Sequence, residues 1–120
     1  MGKSDSLGQF EQLVLAAVKV IENAYGVLIH EKVEQLYRKP VKFASVFTTL
    51  DRLEEKGYIT SRDADPTPLR GNQPKRYYTI APAGEKALQD SAETAGRFLE
   101  LLGVNHGNPE RRQRKAEGKA

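Results

Sequence analysis

SVFTTLDRLEEKGYITSR, residues 45–62, carries two periodicities that meet at a glycine. Val46, Leu50 and Leu53 recur at i, i+4 and i+7, one face of an α-helix, and Phe43 and Phe47 extend that apolar side. Gly57 stands where a helix closes on a left-handed residue. Directly after it, Tyr58-Ile59-Thr60-Ser61-Arg62 has the β-branched and aromatic composition of a strand. The other side of the helix presents Ser45, Thr48, Thr49 and Arg52 at i, i+3, i+4 and i+7. Short hydroxyl side chains let a backbone approach closely, and one arginine can grip a guanine edge. An apolar back with such a front is what a helix lying in a DNA major groove needs. A solvated Ser/Thr face would look the same, so this helix alone decides nothing about function.

Downstream, Arg76-Tyr77-Tyr78-Thr79-Ile80 repeats the strand composition. The 13 residues between the strands include Pro66, Pro68, Gly71 and Pro74, which excludes regular structure there. Two strands with a long basic tip describe a hairpin that projects as a wing. Arg70, Lys75 and Arg76 lie in or beside the tip, suited to phosphates or the minor groove, while Asp63 and Asp65 dilute the charge at its base. Lys42, just before the helix, is placed to hold a phosphate.

Upstream, Phe10, Leu13, Val14, Ala17, Val18 and Ile21 form a one-sided helical stripe. Asn23-Ala24-Tyr25-Gly26 interrupts it, with Glu22, Tyr25 and Gly26 reading as a helix exit and return. Ile29, Val33, Leu36 and Tyr37 mark a second helix that Pro40 ends. Beyond the hairpin, Pro82 suits the first turn of a fourth helix. Leu88, Ala92, Ala95, Leu99 and Leu102 then follow at coiled-coil spacing, and Gly103 closes the helix. This seam is too short and too alanine-rich to hold alone, so it predicts packing against the first helix of a second copy. Phe10, Leu88, Ala92, Ala95, Phe98, Leu99 and Leu102 are the expected dimer contacts. A helix that only covers its own core is the alternative.

The order predicts an α+β, mostly α fold of winged helix-turn-helix type: three helices, a two-stranded β wing and a C-terminal dimerisation helix. The expected boundaries are a disordered leader at 1–6, a DNA-binding domain at 7–81, a dimerisation helix at 82–103 and a disordered basic tail at 104–120. Residues 103–120 hold five Lys/Arg and two Glu, which accounts for the net charge of +3 and leaves residues 1–102 neutral with 14 bases and 14 acids. Any DNA face must therefore come from local clustering. The tail reads equally as added sequence-independent DNA affinity or as a solubilising end.

Other chemistries find little here. No cysteine is present, which rules out disulfides and thiolate metal sites. His30 and His106 have no partner at ligand spacing, and Asp51, Glu54 and Glu55 lie beside Arg52 and Lys56 as a solvated face. No nucleophile–base pair, phosphate loop or carboxylate pair is apparent, so neither an enzyme nor a cofactor is expected. No apolar run suits a membrane span or a signal peptide, which predicts a cytoplasmic protein.

LGQFEQLVLAAV, AYG, SVFTTLDRLEEKGYI, RGNQPKRYYTI and PAGEKAL, running in order from Leu7 to Leu88, resemble the PadR-like family of bacterial transcriptional regulators. The resemblance implies a homodimer whose third helix, Ala44 to Leu53, and wing, Arg70 to Arg76, contact double-stranded operator DNA. It also implies repression relieved by a small-molecule effector. The DNA-contact set is then Lys42, Ser45, Phe47, Thr48, Thr49, Arg52, Arg70, Lys75 and Arg76. Phe47 departs from the family's usual tyrosine and lacks a hydroxyl for phosphate. Asn72 and Gln73 replace a glycine and an arginine of the family wing. Ala81 stands where threonine often caps the fourth helix, a loss of about 1 kcal/mol. Two other functions stay open on the residues: a sensor with its ligand at the dimer interface, and a winged-helix module that binds protein.

Overall fold

The computed structural model describes residues 7–64 and 75–104. The sequence elements are α1 (Gln9–Val20), β1 (Ala24–Tyr25), α2 (Gly26–Tyr37), α3 (Phe43–Glu55), β2 (Ile59–Asp63), β3 (Arg76–Ile80) and α4 (Pro82–Leu101). This is the expected winged-helix order with one addition. Ala24–Tyr25 is not merely a break between helices but a third strand, antiparallel to β3, so the sheet runs β1-β3-β2. Asn23 turns the chain into it at φ 57°, a left-handed conformation that asparagine tolerates. The leader, the tail beyond Val104, and Arg70 with the rest of the wing tip lie outside the described residues, as does His106.

The chain divides into two units, residues 1–89 and 90–120, and α4 begins in the first and ends in the second. In the first unit, Val14, Leu15, Ile29, Val33, Val46, Leu50, Leu53 and Ile59 are enclosed on all sides. One face of the sheet joins them. Ala24, Ile59 and Tyr78 are buried and Ile80 packs alongside, because registered pairs alternate sides along each strand. Burial pushes the Tyr78 phenol above its ordinary pKa. The second-helix stripe is only half used: Ile29 and Val33 are in the core, whereas Leu36 and Tyr37 are exposed. That helix ends on Arg38 at φ 65°, two residues before Pro40.

Glycine closes α3 as its position predicts. Gly57 has φ 81°, its N–H donates to Glu54 O, and Tyr58 N–H reaches back to Leu53 O at 2.9 Å. That closure turns the chain at once into β2. The same end of α3 is tied to the start of α1. Glu11 Oε1 accepts the Gly8 N–H at 3.0 Å, and its Oε2 accepts from Lys56 Nζ at 2.9 Å. Burial alone would raise the Glu11 pKa. The Gly8 and Lys56 bonds, with the positive charges of Lys56 and Arg52, outweigh it and hold the carboxyl below its ordinary 4.5.

A folded-state pKa below the unfolded one stabilises the fold above the unfolded value, and that contribution fades as pH falls through the folded value. Glu11→Gln is therefore expected to cost about 1–2 kcal/mol at neutral pH, since the Lys56 partner is partly solvent-screened. Urea titrations at pH 7 and in acid check this: the difference from the parent should shrink in acid. An equal loss at both pH values would place the cost in packing instead.

Candidate nucleic-acid interface

α3 is an amphipathic helix whose buried stripe is Val46, Thr49, Leu50 and Leu53. Thr49 thus differs from expectation. It is only 4% exposed and sits among the core residues, because i, i+3, i+4 and i+7 counted from Val46 includes it. The exposed front is Lys42, Ser45, Thr48 and Arg52, each open to solvent. Asp51 and Glu55 are exposed as well, while Glu54 is engaged, accepting from Ser61 Oγ at 2.7 Å.

The approach to this helix is held by polar and aromatic contacts. His30 Nε2–H donates to Val41 O at 2.7 Å, and Val41 N–H donates to Glu34 Oε2 at 2.9 Å. The His30 ring meets Phe43 edge-on at 5.0 Å, and Phe43 meets Phe47 at 4.9 Å. Phe47 is 37% exposed, and its ring tip fills the space above Gly26, where a Cβ would lie 2.5 Å from Cζ. Phe47 therefore fixes α3 against the first residue of α2, and its ring packs on the protein while remaining partly open. Beside the front, an opening of about 260 Å³ is lined by Phe10, Tyr37, Pro40, Val41, Lys42 and Ser45.

In the wing, the two cations next to the tip point to opposite faces of the sheet. Arg76 pairs in register with Asp63 on the face that also carries Tyr78, and its Nε donates to Asp63 Oδ1 at 3.1 Å. That bond and charge raise its pKa further. Lys75 instead lies over the Tyr25 ring, its Nζ 3.9 Å from the centroid. Arg62 lies over Tyr77 at 4.8 Å, and Tyr25 and Tyr77 meet edge-on at 6.1 Å. The sequence reading missed Tyr25, Arg62 and Tyr77. Alternation within RYYTI separates Tyr77 from Tyr78, but nothing in a two-residue strand announces that Tyr25 joins it.

The expected dimer contacts fall in both units. Within the first, Phe10 and Leu88 are partly buried against its own core. Phe10 also meets Tyr37 edge-on at 6.3 Å. Within the second, Ala92, Ala95, Phe98 and Leu102 are exposed and Leu99 is half-buried. Leu101, not among the expected contacts, is 82% exposed and shares a helical face with Phe98 and Leu102. Among the described residues, no three His, Cys, Asp or Glu side chains come together as a metal site, and no helix is long and apolar enough to cross a membrane.

Comparison with known proteins agrees with this layout. The model of the transcriptional regulator PadR-like family matches residues 14–90. Among solved structures, the chain is similar to a PadR-like transcription factor of Bacteroides fragilis at TM-score 0.68 and 21% identity, covering 80% of this chain and 88% of that one. A transcriptional regulator from Clostridium thermocellum gives 0.64 and 21%, covering 78% and 86%. A PadR family transcriptional regulator from Eggerthella lenta gives 0.65 and 22%, covering 80% of each chain. At these identities the structural likeness is one of fold. No match is found among curated proteins.

Proposed function

Because this chain belongs to the PadR-like family of transcriptional regulators, we propose that it acts as a homodimeric, sequence-specific repressor on a palindromic operator. The observation that carries this reading is the exposed Lys42, Ser45, Thr48 and Arg52 front on a helix whose back is locked into the core. In this reading Ser45, Thr48 and Arg52 meet base edges, and Lys42 and Lys75 meet phosphates, joined by Arg70 at the tip. Arg76 serves mainly through its pairing with Asp63, and Thr49 supports the helix from behind. Two-fold symmetry puts the half-sites one helical turn, about 34 Å, apart. Ala92, Ala95, Phe98, Leu99 and Leu102 form the dimer seam. Release by a small molecule belongs to the same reading, supported by the opening beside α3, since anything seated there meets Lys42 and Ser45.

The test is fluorescence anisotropy with DNA from upstream of the protein's own gene against a scrambled duplex, at two salt concentrations. Tight, salt-sensitive binding to the upstream DNA alone is the expected result. Arg52→Ala should then lower operator affinity by about 1–3 kcal/mol and relax the preference at one base pair of each half-site. Salt-insensitive capture of a protein, with no DNA binding, would favour a protein-interaction module instead.

A further inference from the structure

We propose that the outer face of the wing sheet is a second contact with the backbone of duplex DNA, in which Tyr25 and Tyr77 hold Lys75 and Arg62 ready for phosphates. The proposal rests on the DNA-binding reading above and extends it to three residues on a different surface from α3.

The placement follows from register. Tyr25 pairs with Tyr77 and Arg62 pairs with Tyr77 from the other side, so one residue of each strand meets on the face turned away from the core. Lys75, one residue before β3, falls on the same face, as its position over Tyr25 shows. The result is a continuous row, Lys75–Tyr25–Tyr77–Arg62, held by two cation–π contacts and one edge-on ring pair. Among the described strand positions, no carboxylate shares this face, since Asp63 is turned to the other side with Arg76. The two wing faces are therefore electrically unlike: one carries a neutralised pair, the other two cations over aromatic rings.

A ring beneath a cation orients it without cancelling its charge, and leaves its N–H groups free to donate. It also restricts side chains that would otherwise lose much rotamer freedom on binding. Such a row, beginning with Lys75 next to the wing tip, complements a line of phosphates. It carries no groups arranged to read bases, so its contribution is independent of sequence.

The 120-residue chain is titrated against a labelled mixed-sequence duplex over a range of salt concentrations, with Lys42→Ala and Arg52→Ala for comparison. Arg62→Ala and Tyr77→Leu are each expected to flatten the dependence of log affinity on log salt by about one unit. Each should also weaken low-salt binding roughly three- to tenfold. Arg62→Lys and Tyr77→Phe, which keep the charge and the ring, should behave as the parent. Lys75→Ala combined with Tyr25→Leu should bind no more weakly than Lys75→Ala alone, because the ring acts through the amine. Parental slopes in Arg62→Ala and Tyr77→Leu would overturn the proposal. If Lys42→Ala or Arg52→Ala still weakened binding, the α3 reading would survive; if all four behaved as the parent, both readings would fall. A Tyr77→Leu chain that melts earlier but keeps its salt slope would show the ring to be structural only, and would also overturn it.

Discussion

Alanine at position 84 is expected to cost at least about 3 kcal/mol, and so to lower the melting temperature by more than about 10 °C. Gly84 is buried near the start of α4, and a Cβ built there would lie 2.2 Å from Tyr58 O and 3.0 Å from both the Tyr58 carbonyl carbon and Ile80 Cγ1. The obstacle is backbone, which no rotamer change can clear. That same carbonyl accepts the Ala81 N–H at 2.9 Å, the bond through which the chain leaves β3 for α4. Moving it also disturbs Gly57 and the start of β2. A domain of this size is stable by only about 5–15 kcal/mol, so the change consumes a large share. Gly96 is the matched control: nothing lies within 4 Å of its Cβ position, and it sits mid-helix. Alanine there should raise helicity and stability by about 0.5–1 kcal/mol. Melting followed by circular dichroism separates the two, and an unchanged midpoint in Gly84→Ala would show that α4 can lift away from Tyr58 at no cost.

The second large effect tests the proposed dimer. Phe98 and Leu102 are each 58% exposed on the second unit, and Phe98→Asp or Leu102→Asp is expected to leave monomers. A charge in an apolar seam must be desolvated without a partner. A monomer can engage only one half-site, so operator affinity should fall by roughly 100-fold or more, the gain that bivalency supplies. Helical content should stay near that of the parent, because neither residue belongs to the buried core. Sedimentation velocity and anisotropy are needed together. A variant that remains dimeric with full operator affinity would place the seam elsewhere on the chain.

Much of the fold was legible because the helices are strongly one-sided. Val46, Leu50 and Leu53 define their own axis, and Gly57 and Pro40 mark where helices stop. What the spacing left undecided lies where one residue fits two patterns. Thr49 belongs to the hydroxyl row by chemistry and to the core stripe by angle, and only packing decides between them. Phe47 fills the space over Gly26, yet spacing alone does not say which glycine it meets. β1 is two residues long, too short for any alternation to show, and its pairing partner lies more than fifty residues away in sequence. The cation–π row was hidden for the same reason, since Tyr25 acquires its neighbours only through that pairing. Wing chemistry could be read as charge, but not as which cation is neutralised and which is held open.

The strand order β1-β3-β2 also governs when the sheet is complete during synthesis. β3 is the middle strand, yet it is the last of the three to leave the ribosome. Until it emerges, α1, α2 and α3 can gather around Leu15 and Leu50, but β1 and β2 have no strand between them, and the backbone groups that face β3 stay unpaired. A nascent chain that stalls within the wing loop thus exposes two unpaired strand edges, a form prone to aggregate or to be taken up by chaperones. Release of Tyr78 closes both edges in one event, so the sheet passes from unpaired to paired over the length of a single five-residue strand, before α4 arrives to pack Leu88 on the core.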